Sequence, residues 1–105
     1  MDKNEVRKVV KQYADVVTQE LSPVSIVLYG SHAKGNPHKD SDIDVAVIFH
    51  SFVGDWLQTS TQLWKLRHNI SLDIEPILLD RATDPSGFVR NIYKTGEVIY
   101  GESFA

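Results

Sequence analysis

The sequence predicts an α/β (α+β) fold, a small mixed β-sheet with helices packed against it. Short β-branched apolar runs of strand length alternate with longer stretches whose apolar residues recur at helical spacing. The 105 residues suit one compact domain, 1–105, and no repeat, low-complexity tract or linker divides them.

Val6, Val9, Val10, Tyr13, Val17 and Leu21 predict a helix from about Asp2 to Glu20 with one apolar face. Ser22-Pro23 ends it, because proline cannot continue the hydrogen-bond ladder. Val24 to Tyr29 reads as a buried strand that stops at Gly30-Ser31. His32 to Ser41 is polar, with Gly35, Asn36 and Pro37 as turn formers. Ile43 to Phe49 is a second strand, with Asp42 and Asp44 at its start. Val53 to Asn69 reads as a helix, weakened by Thr59-Ser60-Thr61. Ile70 to Leu79 is a third strand, with Ile70, Leu72 and Ile74 on one parity and Asp73 and Glu75 on the other. Asp84-Pro85 is a helix start, and Phe88, Val89, Ile92 and Tyr93 give that helix its apolar face. Gly96 is its C-cap, and Val98-Ile99-Tyr100 a last short strand.

The hydrophobic fraction of 42% is that of a globular chain. A domain this small has a thin stability margin and would gain from a homo- or hetero-oligomeric partner. The chain has no cysteine, which excludes disulfides, thiolate metal sites and cysteine nucleophiles. The formal net charge is −3, and the cluster Lys3, Arg7, Lys8 and Lys11 shares its helix with Asp2 and Glu5. That is a solvated helix face, so strong nucleic-acid binding is not expected. The polar start and the lack of any apolar run near the roughly 20 residues that span a bilayer predict a cytoplasmic protein with no membrane contact.

Two carboxylates two apart on a strand share a face. Asp42 and Asp44 would repel unless a cation lies between them or one is neutralised. Hard oxygens of this kind suit Mg²⁺, which shares its shell with water and substrate phosphates. A third carboxylate on an adjacent strand would allow two ions. At Gly30 the backbone can approach a ligand closely, and Ser31 offers a hydroxyl and an N–H. If His32-Ala33-Lys34 form a helical turn, its amides favour a phosphate, and Lys34 adds charge. His32 could line the site or face solvent. His38, His50 and His68 have no ligand spacing and read as surface residues. Trp56 and Trp64 read as core or subunit contacts rather than base-stacking groups. No His and Asp are placed by the sequence to make Ser31 a nucleophile.

Gly30-Ser31, ten residues, then Asp42-x-Asp44 resembles the signature of the DNA polymerase β-like nucleotidyltransferase superfamily. The runs from Tyr29 to Gly35 and from Ser41 to Val47 are similar to the minimal nucleotidyltransferases of bacteria and archaea. The stretches Phe88 to Ile92 and Gly96 to Gly101 look like that family's tail. The resemblance implies that Asp42 and Asp44 bind two Mg²⁺ ions and that Gly30 and Ser31 hold the triphosphate of ATP. It implies a third carboxylate on the next strand, where Asp73 fits best and Glu75 is the alternative. Lys34 stands where relatives often have arginine, keeping the charge but not the bidentate fork. The acceptor hydroxyl would attack the α-phosphorus, with Asp73 helping to take its proton, and pyrophosphate would leave.

The resemblance further implies a HEPN-domain partner, an RNase toxin, with this chain as its antitoxin. Adenylylation of a tyrosine of that toxin is the expected reaction. The alternatives are modification of a small molecule, as in aminoglycoside nucleotidyltransferases, and an antitoxin that only occludes its partner.

Overall fold

The structure is a computed structural model that describes residues 2–35 and 42–103. Among the described residues, four helices and four strands follow one another as α1 (Lys3–Glu20), β1 (Ser25–Tyr29), α2 (Ser31–Lys34), β2 (Ile43–Phe49), α3 (Trp56–Leu66), β3 (Ile74–Asp80), α4 (Phe88–Thr95) and β4 (Glu97–Gly101). The strands form one sheet in the order β3-β2-β1-β4. β1 pairs antiparallel with both β2 and β4, and β2 pairs parallel with β3. The sheet is therefore mixed, as the sequence predicts.

Side chains alternate along each strand, so each face of the sheet meets its own layer. Val6, Val10, Tyr13, Ala14 and Val17 of α1 and Leu63 of α3 pack on Ile26, Leu28, Ile43, Val45 and Val47. On the other face, Val89 and Ile92 of α4 pack on Val27, Ala46 and Ile48. That second face has the smaller cover. Asp44 shares it, because Asp44, Ala46 and Ile48 are of one parity.

Local chemistry sets the element ends. Asp2 caps α1, its carboxylate accepting from Glu5 N–H at 2.8 Å. α3 starts at Trp56 and not Val53, because Gly54 has φ 134 and Asp55 caps the helix through Gln58 N–H at 2.9 Å. Thr59-Ser60-Thr61 lies inside it. β3 starts at Ile74 and not Ile70. Arg67 C=O accepts from Ile70 and Ser71 N–H at 2.9 and 3.0 Å, which winds residues 67–73 into a turn. α4 starts at Phe88, because Gly87 at φ 76 interrupts the helical run after Asp84-Pro85. Asp84 still caps it across the turn, accepting from Val89 and Arg90 N–H at 3.0 and 3.1 Å. Gly96 is the C-cap, its N–H bonded to Ile92 C=O. The one-turn helix α2 is an element that the predicted order of strands and helices lacks. Among the described residues, no helix is long and apolar enough to cross a membrane.

Candidate active site

β1 ends, and β2 and β3 begin, at the same end of the sheet. In register, Asp44 lies opposite Tyr29 on one side and beside Glu75 on the other. Tyr29, Asp44 and Glu75 thus form one row across three neighbouring strands. Asp42 lies just before β2, exposed, with the parity of Asp44.

Gly30 closes this group. Its φ is 76, which favours glycine, and a Cβ there would collide with the Asp44 carboxylate. The chain then turns directly into α2, with Ser31 as its first residue and Gly30 as N-cap. His32 is buried, so it lies against the site and not toward solvent. Lys34 is exposed at the end of α2. Asn36 to Ser41, including His38, lies outside the described residues.

The electrostatics of the row follow from its crowding. Desolvation pushes the Asp44 carboxyl up, the Asp42 charge pushes it further, and His32 opposes both. Desolvation and Asp42 push Glu75 up too, the latter through its charge and a hydrogen bond that a protonated Glu75 donates. Asp44 adds to that shift and Arg67 offsets part of it. Burial, followed by Asp44 and Glu75, raises the Tyr29 phenol, which remains a neutral group near pH 7.

The structure therefore brings Asp42, Asp44 and Glu75 together. Asp73 is exposed, as Asp42 and Glu75 are, and lies in the turn before β3 with the parity of Glu75. Its backbone matters locally, since Asp73 C=O accepts from Ile43 N–H at 2.8 Å and fixes the start of β2. Among the described residues, no three His, Asp and Glu side chains form a ready-made metal cage. Mg²⁺ does not require one, because it takes one or two carboxylates and completes its shell with water and phosphate oxygens. Hard oxygens whose own charges oppose ionisation are a donor set that such a cation fits.

Two residues that act on these carboxylates, Tyr29 and Arg67, are given no role by the sequence. Tyr29 is marked only by its position, last in β1 and in phase with Val27. Arg67, the C-cap of α3, lies over the Trp64 ring and acts on Glu75 directly only through its charge, and nothing in the local sequence signals this. Trp56 and Trp64 are 47% and 42% exposed, so neither is a core residue. His50 and His68 are exposed.

A family model described as polymerase beta, nucleotidyltransferase matches residues 8–105. No curated protein matches the sequence. Among solved structures, a putative nucleotidyltransferase from Sulfolobus solfataricus superposes with a TM-score of 0.71 at 18% identity, over 98% of this chain and 88% of that one. A toxin–antitoxin complex with AMP-PNP gives 0.60 at 20% identity, over 88% and 73%. Tri-AMPylated Shewanella oneidensis HEPN toxin in complex with MNT antitoxin gives 0.57 at 16% identity, over 95% and 73%.

Proposed function

The chain belongs to the polymerase beta nucleotidyltransferase family, and from that premise we propose that it transfers AMP from ATP to a hydroxyl of a protein partner. The row of Asp44 and Glu75 beside Asp42, closed by Gly30, carries this reading. It gathers three carboxylates at the foot of a strand, next to a turn suited to phosphates.

In the proposed mechanism Gly30, Ser31 and the opening turn of α2 cradle the triphosphate. Lys34 adds positive charge at the exposed end of that turn. Asp42, Asp44 and Glu75 would hold Mg²⁺, which when bound neutralises phosphate charge and activates the acceptor oxygen. We give the third carboxylate role to Glu75 and not to Asp73, because Glu75 is the register neighbour of Asp44. Glu75 takes the proton of the acceptor hydroxyl. The hydroxyl oxygen bonds to the α-phosphorus, the bond from that phosphorus to the bridging oxygen breaks, and pyrophosphate leaves. Catalysis is positioning and charge stabilisation.

The partner is a HEPN-type toxin and the acceptor a tyrosine. Support comes from the neighbour described as a tri-AMPylated HEPN toxin with an MNT antitoxin. Each added AMP brings negative charge, which repels RNA phosphates from a nuclease site. On this reading the chain is an antitoxin that disarms its toxin chemically.

The test is incubation with labelled ATP, Mg²⁺ and a HEPN-type partner, followed by intact-mass measurement of both chains. The expected product is a partner heavier by one or more AMP units, absent with Asp42→Asn. An unmodified partner that is still inhibited by the Asp42→Asn protein would replace catalysis with occlusion.

A further inference from the structure

Glu75 stands beside Asp44 in one register of β3 on β2 only, the register that pairs Ile43 with Ile74. The two strands are parallel, so no tight hairpin sets it. β3 is the last strand on its side of the sheet and is aligned by β2 alone. Ile74 and Leu78 are buried, which opposes a slip of one residue, because such a slip turns every side chain to the other face. A slip of two residues keeps the faces. It would put Leu72 opposite Ile43 and Asp73 beside Asp44, so that one apolar residue and one carboxylate replace another of each. Alternation along the strand does not forbid that arrangement. A contact before Ile74 has to hold Leu72 and Asp73 out of the strand.

Arg67 does so with both its main chain and its side chain. It is the C-cap of α3, and its C=O accepts from Ile70 and Ser71 N–H at 2.9 and 3.0 Å. Its Nη1 donates to Leu72 C=O. One residue thus grips the turn from 70 to 72. Ser71 passes the constraint on: its Oγ accepts from Asp73 N–H at 3.2 Å and its C=O from Ile74 N–H at 3.4 Å. Asp73 C=O then accepts from Ile43 N–H at 2.8 Å, the bond by which the turn meets β2.

The guanidinium is itself held. Its carbon lies 4.6 Å from the centroid of the Trp64 ring, one helical turn earlier in the chain. Trp64 is half-exposed, so its ring is an outer wall for the guanidinium and not a core group. Arg67 Nε is buried with no hydrogen-bond acceptor among the described residues, which is a cost to the fold. Methionine would remove that cost and keep an apolar stem against Trp64. What arginine adds at this position is the bond to Leu72 C=O.

We propose that Arg67, seated on Trp64, is a positioning residue that pins Leu72 in the turn, fixes where β3 begins on β2, and so gives the place beside Asp44 to Glu75 and not to Asp73. The inference rests on the carboxylate roles proposed above.

Amide hydrogen exchange read by NMR and steady-state transfer kinetics test this on the wild type, Arg67→Met and Trp64→Ala. In Arg67→Met the amides of Ile43 and Ile74 should exchange at least tenfold faster, while those of Ile26 and Leu28 in β1 stay within threefold. The kcat for transfer should fall at least tenfold with KM for Mg-ATP within twofold, because Gly30, Asp42 and Asp44 keep their places. Asp73→Asn should cost more in the Arg67→Met background than alone, since the loosened register lets Asp73 share the site. Trp64→Ala should repeat these effects to a smaller degree, and Trp64→Phe, which keeps an aromatic face, should restore most of the loss. Unchanged exchange at Ile43 and Ile74 overturns the proposal. So does exchange that quickens evenly across the sheet, which is a loss of stability and not of register. If Arg67→Met does not fold, Trp64→Ala carries the same comparison. Faster exchange at Ile43 and Ile74 in a protein whose wild type transfers nothing overturns the carboxylate roles and leaves the register role standing.

Discussion

The space that a side chain at Gly30 would need is filled by the carboxylate of Asp44. The two residues are 14 apart in sequence and adjacent in space, because β1 and β2 pair antiparallel with Tyr29 opposite Asp44. The turn that leaves β1 and the acid that opens β2 are therefore one unit.

Gly30→Ala tests that unit. The new methyl group displaces Asp44, and the backbone at φ 76, ψ −152 is one that alanine adopts only at a cost of about 1–3 kcal/mol. The variant should unfold at lower denaturant concentration and lose AMP transfer at least a hundredfold. Wild-type transfer by Gly30→Ala would show that Asp44 need not stay where Gly30 holds it.

Glu75→Gln and Asp73→Asn separate the two candidates for the third carboxylate. Glu75 lies beside Asp44 in register, whereas Asp73 contributes its backbone C=O to Ile43, which asparagine keeps. Glu75→Gln should lower transfer by about 10²–10⁴, and Asp73→Asn by only a few-fold. The reverse ranking in single-turnover assays would return the role to Asp73.

The choice between these acids marks where the sequence stops being legible. Apolar spacing disclosed all four strands, the helices α1, α3 and α4, and the face that α1 buries, because burial imposes periods of two and 3.6 residues. The Gly30-Ser31 and Asp42-x-Asp44 spacing is likewise a local signal. Apolar spacing did not disclose the face of α3, which buries Leu63 and leaves Trp56, Leu57 and Trp64 exposed. Ile70, Leu72 and Ile74 alternate as a strand would, yet Leu72 is exposed and Ile70 belongs to a turn. Parity cannot separate Asp73 from Glu75, since both share it; only the register with β2 does. The action of the Arg67 charge on Glu75 depends on how the chain returns from α3 to the sheet. Gly87 mattered more than Asp84-Pro85 at the start of α4, because a residue at positive φ stops a helix whatever precedes it.

Asp44 and Glu75 make the metal-free protein pH-sensitive. Both carboxyls are raised in the folded state, so their contribution to stability is full below the unfolded values, 3.8 and 4.5. It is lost as pH rises through the folded values. In EDTA at pH 7, Asp44→Asn should therefore melt at a higher temperature than wild type, and the difference should close below about pH 3.8. Mn²⁺ with a nonhydrolysable ATP analogue should raise the wild-type melting temperature and leave Asp42→Asn/Asp44→Asn unmoved. Differential scanning calorimetry across pH reads both, and a less stable Asp44→Asn at pH 7 would contradict the repulsion inferred for the row.

Tyr13→Phe should weaken the fold without touching the site. Tyr13 is fully buried in α1, and its hydroxyl donates to Leu63 C=O at 2.7 Å. Leu63 lies in the last turn of α3, where helix carbonyls lack intrahelical donors. The tyrosine thus caps α3 from a neighbouring helix, and burial raises its phenol so that it stays a donor. Phenylalanine keeps the packing but strands a buried carbonyl, at about 1–3 kcal/mol. For a domain of this size each kcal/mol lowers the melting temperature by about 4–8 °C. Mg-ATP binding at 10 °C should stay within twofold, because the row from Tyr29 to Glu75 lies on the opposite face of the sheet from Tyr13. An unchanged melting temperature would mean that water reaches Leu63 C=O once the hydroxyl is gone, and that α3 does not depend on α1 for its cap.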